Sequence, residues 1–274
     1  MLVLKLCLYL CYAYTYVILT NFFVGWHVLG TYYAENEDDK KALQCLKRAV
    51  EIDPFNIAAQ LDLGTSYVND LNTVGALTAL QNWLKHNPNL QDITTPNIDA
   101  YSDGTVIDDV TQMMLAAAAA NPDNAEVQTV LGILYNVSLD YTAATEHFRR
   151  AIALRPNDYA LLNKMGATLA NNKHAVEATR YYAAALQQRP SYTRGWVNLG
   201  IAFFNMGDDV LLKETVTEAA KCFVQALSLA PHLRYVTVTY IGYDVGSYVS
   251  LLLLLLSMIT VLFHNILFYL SVKR

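Results

Sequence analysis

Three stretches of different polarity follow one another along the chain. Residues 1–25 are apolar almost throughout, with Lys5 their one charged side chain. Residues 26–231 alternate apolar, small and charged positions at helical spacing. Residues 232–274 turn apolar again, and Arg234, Asp244, Lys273 and Arg274 carry all their formal charge. The middle stretch therefore reads as the globular part, flanked by greasy ends.

The middle is periodic. Pro54, Pro88, Pro122, Pro156 and Pro190 are each 34 residues apart. Other markers keep the same phase: Trp26, Leu29, Gly30, Tyr33, Ala42 and Ala49 before the first of these prolines, and Leu63, Gly64, Tyr67 and Ala76 before the second. Leu131, Gly132, Tyr135, Ala144, Phe148 and Ala151 precede Pro156. Met165, Gly166, Ala178, Tyr182 and Ala185 precede Pro190, and Trp196, Leu199, Gly200 and Phe203 follow it. A 34-residue unit with this small-residue and aromatic pattern is the tetratricopeptide repeat, a hairpin of antiparallel helices. Proline closes each unit because it cannot extend a helical hydrogen-bond ladder. A lone hairpin cannot bury its apolar faces, so units stack. The expected fold is all-α, a superhelical solenoid of such repeats over residues 26–231, with the first helix of each unit lining its concave wall.

Irregularities break the period. Asn89–Ile107 is rich in Thr, Asp, Asn and Gly and reads as loop, followed by a helix from Asp108 to Ala120. This is a degenerate repeat that has lost its first helix, expected to act as a hinge between repeat clusters. From Pro190 to Pro231 is 41 residues, so the last unit carries seven extra, placed around Asp208 to Val216.

Candidate chemistry lies on the first helices. Counting within each repeat, position 13 is Asn69, Asn171 and Asn205, position 12 is Asn136, position 5 is Asn163, position 6 is Asn198 and position 2 is Arg194. Positions 2, 5, 6, 9 and 13 share roughly one helix face. An amide both donates and accepts, so a row of asparagines can hold a peptide backbone irrespective of its side chains, and an arginine adds a fork for a terminal carboxylate. A capping reading stands beside this one: near a helix C-terminus asparagine tolerates the left-handed conformation, which fits Asn69, Asn171 and Asn205. Asn163 and Asn198 lie mid-helix, where asparagine is unfavourable, and point to binding. Asn56, Asn124 and Asn157, beside the prolines, read as turn residues.

The strings LGTYYAENE (Leu29–Glu37), LYNVS (Leu134–Ser138), RPNDY (Arg155–Tyr159), NKMGATLAN (Asn163–Asn171) and VNLGI (Val197–Ile201) resemble the repeat domain of the peroxisomal import receptors for C-terminal Ser-Lys-Leu type signals, the peroxin five family. The resemblance covers about residues 26–231. It implies that Asn69, Asn163, Asn171, Asn198 and Asn205 hold the signal, with Arg194 near its carboxylate and Asn136 beside them. Glu35, Glu37 and Asp70 are the acidic candidates for the signal's lysine. It further implies cargo proteins with such tails, docking proteins at the peroxisomal (in some lineages glycosomal) membrane, and a cycle between cytosol and that membrane. Aromatic docking motifs, a repeat before Trp26 and a helical bundle after the last repeat belong to the family pattern without a match here, and Asn172 stands where the family has glycine. Weakened docking and cargo affinity are the expected consequence.

The greasy ends have rival readings. Residues 248–272 carry no formal charge over 25 residues, enough to span a bilayer, with Lys273 and Arg274 favouring a cytosolic C-terminus. Residues 1–25 read as a short span, or both ends as a misplaced gene boundary on a fragment. A net charge of −5 without clustered Lys and Arg argues against nucleic-acid binding. Cys7, Cys11, Cys45 and Cys222 form no CxxC pair and no metal-ligand spacing. No phosphate-binding loop, zinc-protease helix or nucleophile elbow is present, so neither an enzyme nor a cofactor is expected. The competing functions are a general co-chaperone, which would grip an acidic tail with groove lysines and arginines, and a membrane-anchored scaffold.

Overall fold

The computed structural model describes residues 24–88, 90, 106–206 and 212–233. Its helices are α1 (24–35), α2 (Asp39–Ile52), α3 (Ile57–Asn69), α4 (Thr73–His86), α5 (Val106–Ala120), α6 (Ala125–Val137), α7 (Tyr141–Leu154), α8 (Tyr159–Asn171), α9 (Ala175–Gln188), α10 (Thr193–Asn205) and α11 (Leu212–Leu229), followed by a 3-10 turn at Pro231–Leu233. No strand occurs among the described residues. The regularity matches the period: α3, α6, α8 and α10 have 13 residues each. Their partners α2, α4, α7 and α9 have 14 each. The chain is an all-α array of tetratricopeptide-type hairpins.

It forms two compact units, residues 1–140 and 141–274. In the first, α2 packs on α3, α3 on α4, α4 on α5, and α5 and α3 on α6. In the second, α7 packs on α8, α8 on α9, α9 on α10, and α10 on α11. Helix α5 begins two residues earlier than the sequence pattern suggests and lies inside the first unit, packed on both neighbours. The division between units therefore falls in the turn after α6, not at the degenerate repeat expected to act as a hinge. Most of that repeat's loop, Asn89 and residues 91–105, lies outside the described residues, as do residues 1–23, 207–211 and the proposed membrane segment 248–272. Among the described residues no helix is long and apolar enough to cross a membrane.

The close crossings are built on glycine. A Cβ on Gly30 would sit 2.6 Å from Leu46 Cγ, one on Gly64 2.9 Å from Leu80 Cδ2, and one on Gly166 2.7 Å from Tyr182 Cε1. In each case the large residue follows the glycine by 16 positions, which sets how the hairpin closes. For Gly200 the partner is Phe223, at 2.8 Å and 23 positions on. The difference, 23 − 16 = 7, is the insertion, and the crossing survives it. Four of those residues lengthen α11 to 18 from the usual 14. The other three fall among the six residues between Asn205 and Leu212, against three between Asn171 and Ala175.

Inter-repeat turns reuse one construction. The residue two places after the proline caps the next helix: Asn56 accepts the Ala59 amide at 3.0 Å, Asn124 the Glu126 and Val127 amides at 2.9 and 3.2 Å, and Asp158 the Leu161 amide at 3.0 Å. Asn56 and Asn124 are thus specific helix N-caps, a sharper role than turn residue. At position 4 of the following helix a side-chain N–H returns to the proline carbonyl: Gln60 to Pro54 and Gln128 to Pro122, both at 3.3 Å, and Trp196 to Pro190 at 2.8 Å. Tyr192 replaces the capping side chain in the last turn and instead packs edge-on against Tyr159, ring centroids 5.1 Å apart.

Burial follows the repeat positions. Leu63, Leu131 and Leu199 are buried, whereas Leu29 at the same position is 38% exposed. Leu43, Leu46, Leu63 and Ala79 form one core cluster of the first unit. Val197, Ala219, Phe223, Ala226, Ala230 and Leu233 form one of the second. Cys45 and Cys222 are both free and buried, and burial pushes the Cys222 thiol up to about 12. Burial raises the Cys45 thiol as well, which disfavours the reactive thiolate at both positions.

Candidate peptide-binding site

The second unit brings two of the expected residues together. Asn163 is in the middle of α8 and Asn198 in the middle of the neighbouring first helix, α10. Asn198 Nδ2 donates to Asn163 Oδ1 at 3.1 Å. Asn163 is only 6% exposed, while Asn198 is half-buried. A mid-helix amide in this position loses helix propensity and desolvates a polar group. The mutual hydrogen bond satisfies one donor and one acceptor, leaving the Asn163 amino group and the Asn198 carbonyl oxygen as further bonding capacity.

The flanking positions extend that pair along the helices. Arg194, half-buried, precedes Asn198 by four residues, one turn toward the start of α10. Asn205 ends α10 and Asn171 ends α8, and both are exposed. Asn205 follows Asn198 by seven residues, which returns it to within about 20° of the same helix face. This unit therefore carries four amides and a guanidinium on two adjacent first helices.

The first unit holds the remaining expected residues. Asn69 is the last residue of α3 and is exposed. Asn136 is next to last in α6 and half-buried, and its Oδ1 is buried without a hydrogen-bond partner. The structure does not support the left-handed capping reading for Asn69 or Asn171. The residues with positive φ are Leu71 (57°) and Lys173 (63°), two places further on, while both asparagines are helical. Nothing in the local turn requires an asparagine there.

One constellation escaped the sequence reading. His27 Nε2 and Asp62 Oδ2 lie 2.8 Å apart, linking α1 to α3. The carboxylate only accepts, so the imidazole donates. Thr31 Oγ1, with one proton to give, lies 3.1 Å from the His27 carbonyl oxygen and 3.3 Å from the same Asp62 oxygen. The signal was available as a spacing: residues 27 and 62 are 35 apart, as are 163 and 198. Of the acidic candidates, Asp70 caps α3 through its backbone, and Glu37 has a left-handed φ of 63° in the turn after α1.

The tetratricopeptide repeat family matches residues 25–56, the α1–α2 hairpin. Over 206 residues the chain is 31% identical to the peroxisomal targeting signal receptor of Eremothecium gossypii, covering 75% of this chain and 35% of that protein. The receptor of the same name from Yarrowia lipolytica is 34% identical over 213 residues, 75% of this chain and 34% of its own. Over about three quarters of its length the chain is thus similar to the peroxisomal targeting signal receptors. Peroxisome biogenesis protein 5 of Arabidopsis thaliana is 38% identical over 125 residues, 46% of this chain and 17% of that one. The chain spans about a third of the length of the fungal receptors it matches.

Proposed function

We infer that the chain binds the C-terminal Ser-Lys-Leu type targeting signal of cargo proteins bound for the peroxisome. The observation that carries this reading is the hydrogen bond between Asn198 and Asn163, which positions two amides on neighbouring first helices beside Arg194. A peptide end offers a carboxylate and a backbone C=O and N–H. Amides pair with the backbone without regard to sequence, and a guanidinium prefers the carboxylate. Each charge-assisted hydrogen bond to that carboxylate is worth about 1.5–3 kcal/mol. Within the second unit, Asn171 and Asn205 are assigned to the rest of the signal backbone.

Support from kinship points the same way, since the relatives are named as peroxisomal targeting signal receptors. On this reading the partners are cargo proteins with such tails and the docking proteins of the peroxisomal membrane, and the chain works between cytosol and that membrane. A glycosomal setting would require no change in the chemistry. Fluorescence anisotropy with a labelled peptide ending in Ser-Lys-Leu tests the reading. Saturable binding that weakens at least about tenfold on Asn163→Ala, the loss of about one such hydrogen bond, supports it. Equal binding of an unrelated tail contradicts it.

A further inference from the structure

Helix α1 shows to solvent a face that the other first helices among the described residues bury. Val24, Gly25, Val28, Leu29 and Tyr32 follow helical spacing, fall on one side of α1 and are all exposed, Val28 to 62% and Tyr32 to 56%. The residues that match Tyr32 in the later first helices, Ser66, Leu134, Thr168 and Ala202, are buried, and so are those that match Gly25 and Leu29. The stripe carries no charge. Across residues 24–34 His27 is the one group of ordinary near-neutral titration, and it is turned to Asp62 on α3. Gly25 differs from other glycines in the same way. A Cβ on Gly75 would lie 2.6 Å from the ring of Tyr67, one on Gly166 2.7 Å from that of Tyr182, and one on Gly200 2.8 Å from that of Phe223, so each of these glycines makes room for a ring. A Cβ on Gly25 would meet nothing within 4 Å. Tyr32 follows Gly25 by seven residues, which places both within about 20° of one direction from the helix axis. A glycine open to a large side chain and an exposed ring thus share one stripe, one toward each end.

We propose that this stripe is the contact between two copies of the chain, with α1 packed antiparallel on α1 of the second copy about a two-fold axis between Val28 and Leu29. A two-fold contact uses the same patch twice and must fit itself. In this arrangement residues 25 and 32 are equidistant from the axis, so Gly25 of each copy faces Tyr32 of the other. The ring fills the space beside the glycine, as rings do inside the chain, and both ends of the contact close in the same way. Val28 and Leu29 meet their own counterparts at the centre, apolar on apolar. The lack of charge on the stripe favours a second copy, since a charged residue beside a two-fold axis faces its own like charge. It also gives a basic or acidic partner nothing to pair with. One helix from each copy is a small contact, so the association is weak and concentration-dependent. No residue of the Asn163–Asn198 site takes part, and the inference stands apart from the peptide-binding reading.

Sedimentation equilibrium of the full chain tests this, at protein concentrations from about 5 to 200 µM, the range in which a small interface associates. The apparent mass of the wild type should rise from one chain toward two. Val28→Glu sets two carboxylates against each other at the axis and should raise the dissociation constant more than about tenfold, with the circular dichroism spectrum kept because Val28 is exposed. Gly25→Leu should weaken association as well, by filling the space the ring needs, whereas Tyr32→Phe, which keeps the ring, should not. Val28→Cys reports the register. Beside the axis its two thiols lie close, so under mild oxidation it should form an intermolecular disulfide faster than the wild type does, and faster than Lys40→Cys, an exposed position on α2. A wild type that stays a single chain over the whole range overturns the inference. So does a dimer undiminished in a folded Val28→Glu chain, since it would form through another surface. Cross-linking of Val28→Cys no faster than that of Lys40→Cys overturns it too.

Discussion

Asn198 donates to the carbonyl oxygen of Asn163, and that direction decides what each amide offers a ligand. With its oxygen engaged, Asn163 presents its amino group, while Asn198 presents an oxygen and its second N–H. Exchange of a single atom should therefore act unequally at the two sites. Asn163→Asp still accepts from Asn198 but loses the donor and adds a negative charge. Affinity for a peptide carboxylate should fall more than tenfold, and more than for the same peptide amidated at its end. Asn198→Asp removes the donor between the two residues, so that Asn163 must rotate its amide. Peptide titrations of the two variants, with both forms of the peptide, check this asymmetry.

Helix crossing at glycine makes a stability prediction. A Cβ at Gly166 would lie 2.7 Å from the buried ring of Tyr182, which has no room to swing aside as the tip of a flexible chain could. Gly166→Ala should destabilise the second unit by about 1–3 kcal/mol despite the better helix propensity of alanine. Urea unfolding followed by circular dichroism measures it.

The caps make another. Asn124 accepts from the amides of both Glu126 and Val127 at the start of α6. Asn124→Ala should cost about 1 kcal/mol. Asn157, in the turn after α7, leaves the capping of the next helix to Asp158 and should tolerate alanine better; comparing the urea midpoints of the two variants decides.

His147 gives a pH dependence. Burial, and then Arg150, hold its pKa below the ordinary imidazole value, with Glu146 opposing. The folded chain thus resists a proton that the unfolded chain accepts. This residue's contribution to stability is complete above the unfolded value of about 6.5 and is lost as pH falls from there toward the depressed folded value. His147→Gln should flatten that part of the stability profile relative to wild type, measured by thermal melts between neutral and mildly acidic pH.

Much of this architecture could be read from residue spacing. The prolines mark helix ends because they cannot continue a ladder, and Gly30, Gly64, Gly166 and Gly200 mark crossings because a Cβ there would collide with the partner helix. The insertion was legible as a count but not as a structure, since nothing in its composition tells how much of it lengthens α11 and how much precedes that helix. The role of Asn69 and Asn171 stayed ambiguous for a similar reason. Leu71 and Lys173, neither of them a usual left-handed residue, take the positive φ that asparagine tolerates. His27 and Asp62 were missed because the repeat pattern scores each position alone, whereas their meaning lies in a pair 35 residues apart.

The central claim concerns an amide pair that receives a foreign chain end, and its most direct test is a titration of the full chain with a labelled Ser-Lys-Leu peptide beside its Asn163→Ala variant. The account predicts saturable binding to the wild type, weakened at least about tenfold in the variant while the helical circular dichroism spectrum is kept. Undiminished binding by a folded variant, or no binding by the wild type, would contradict it.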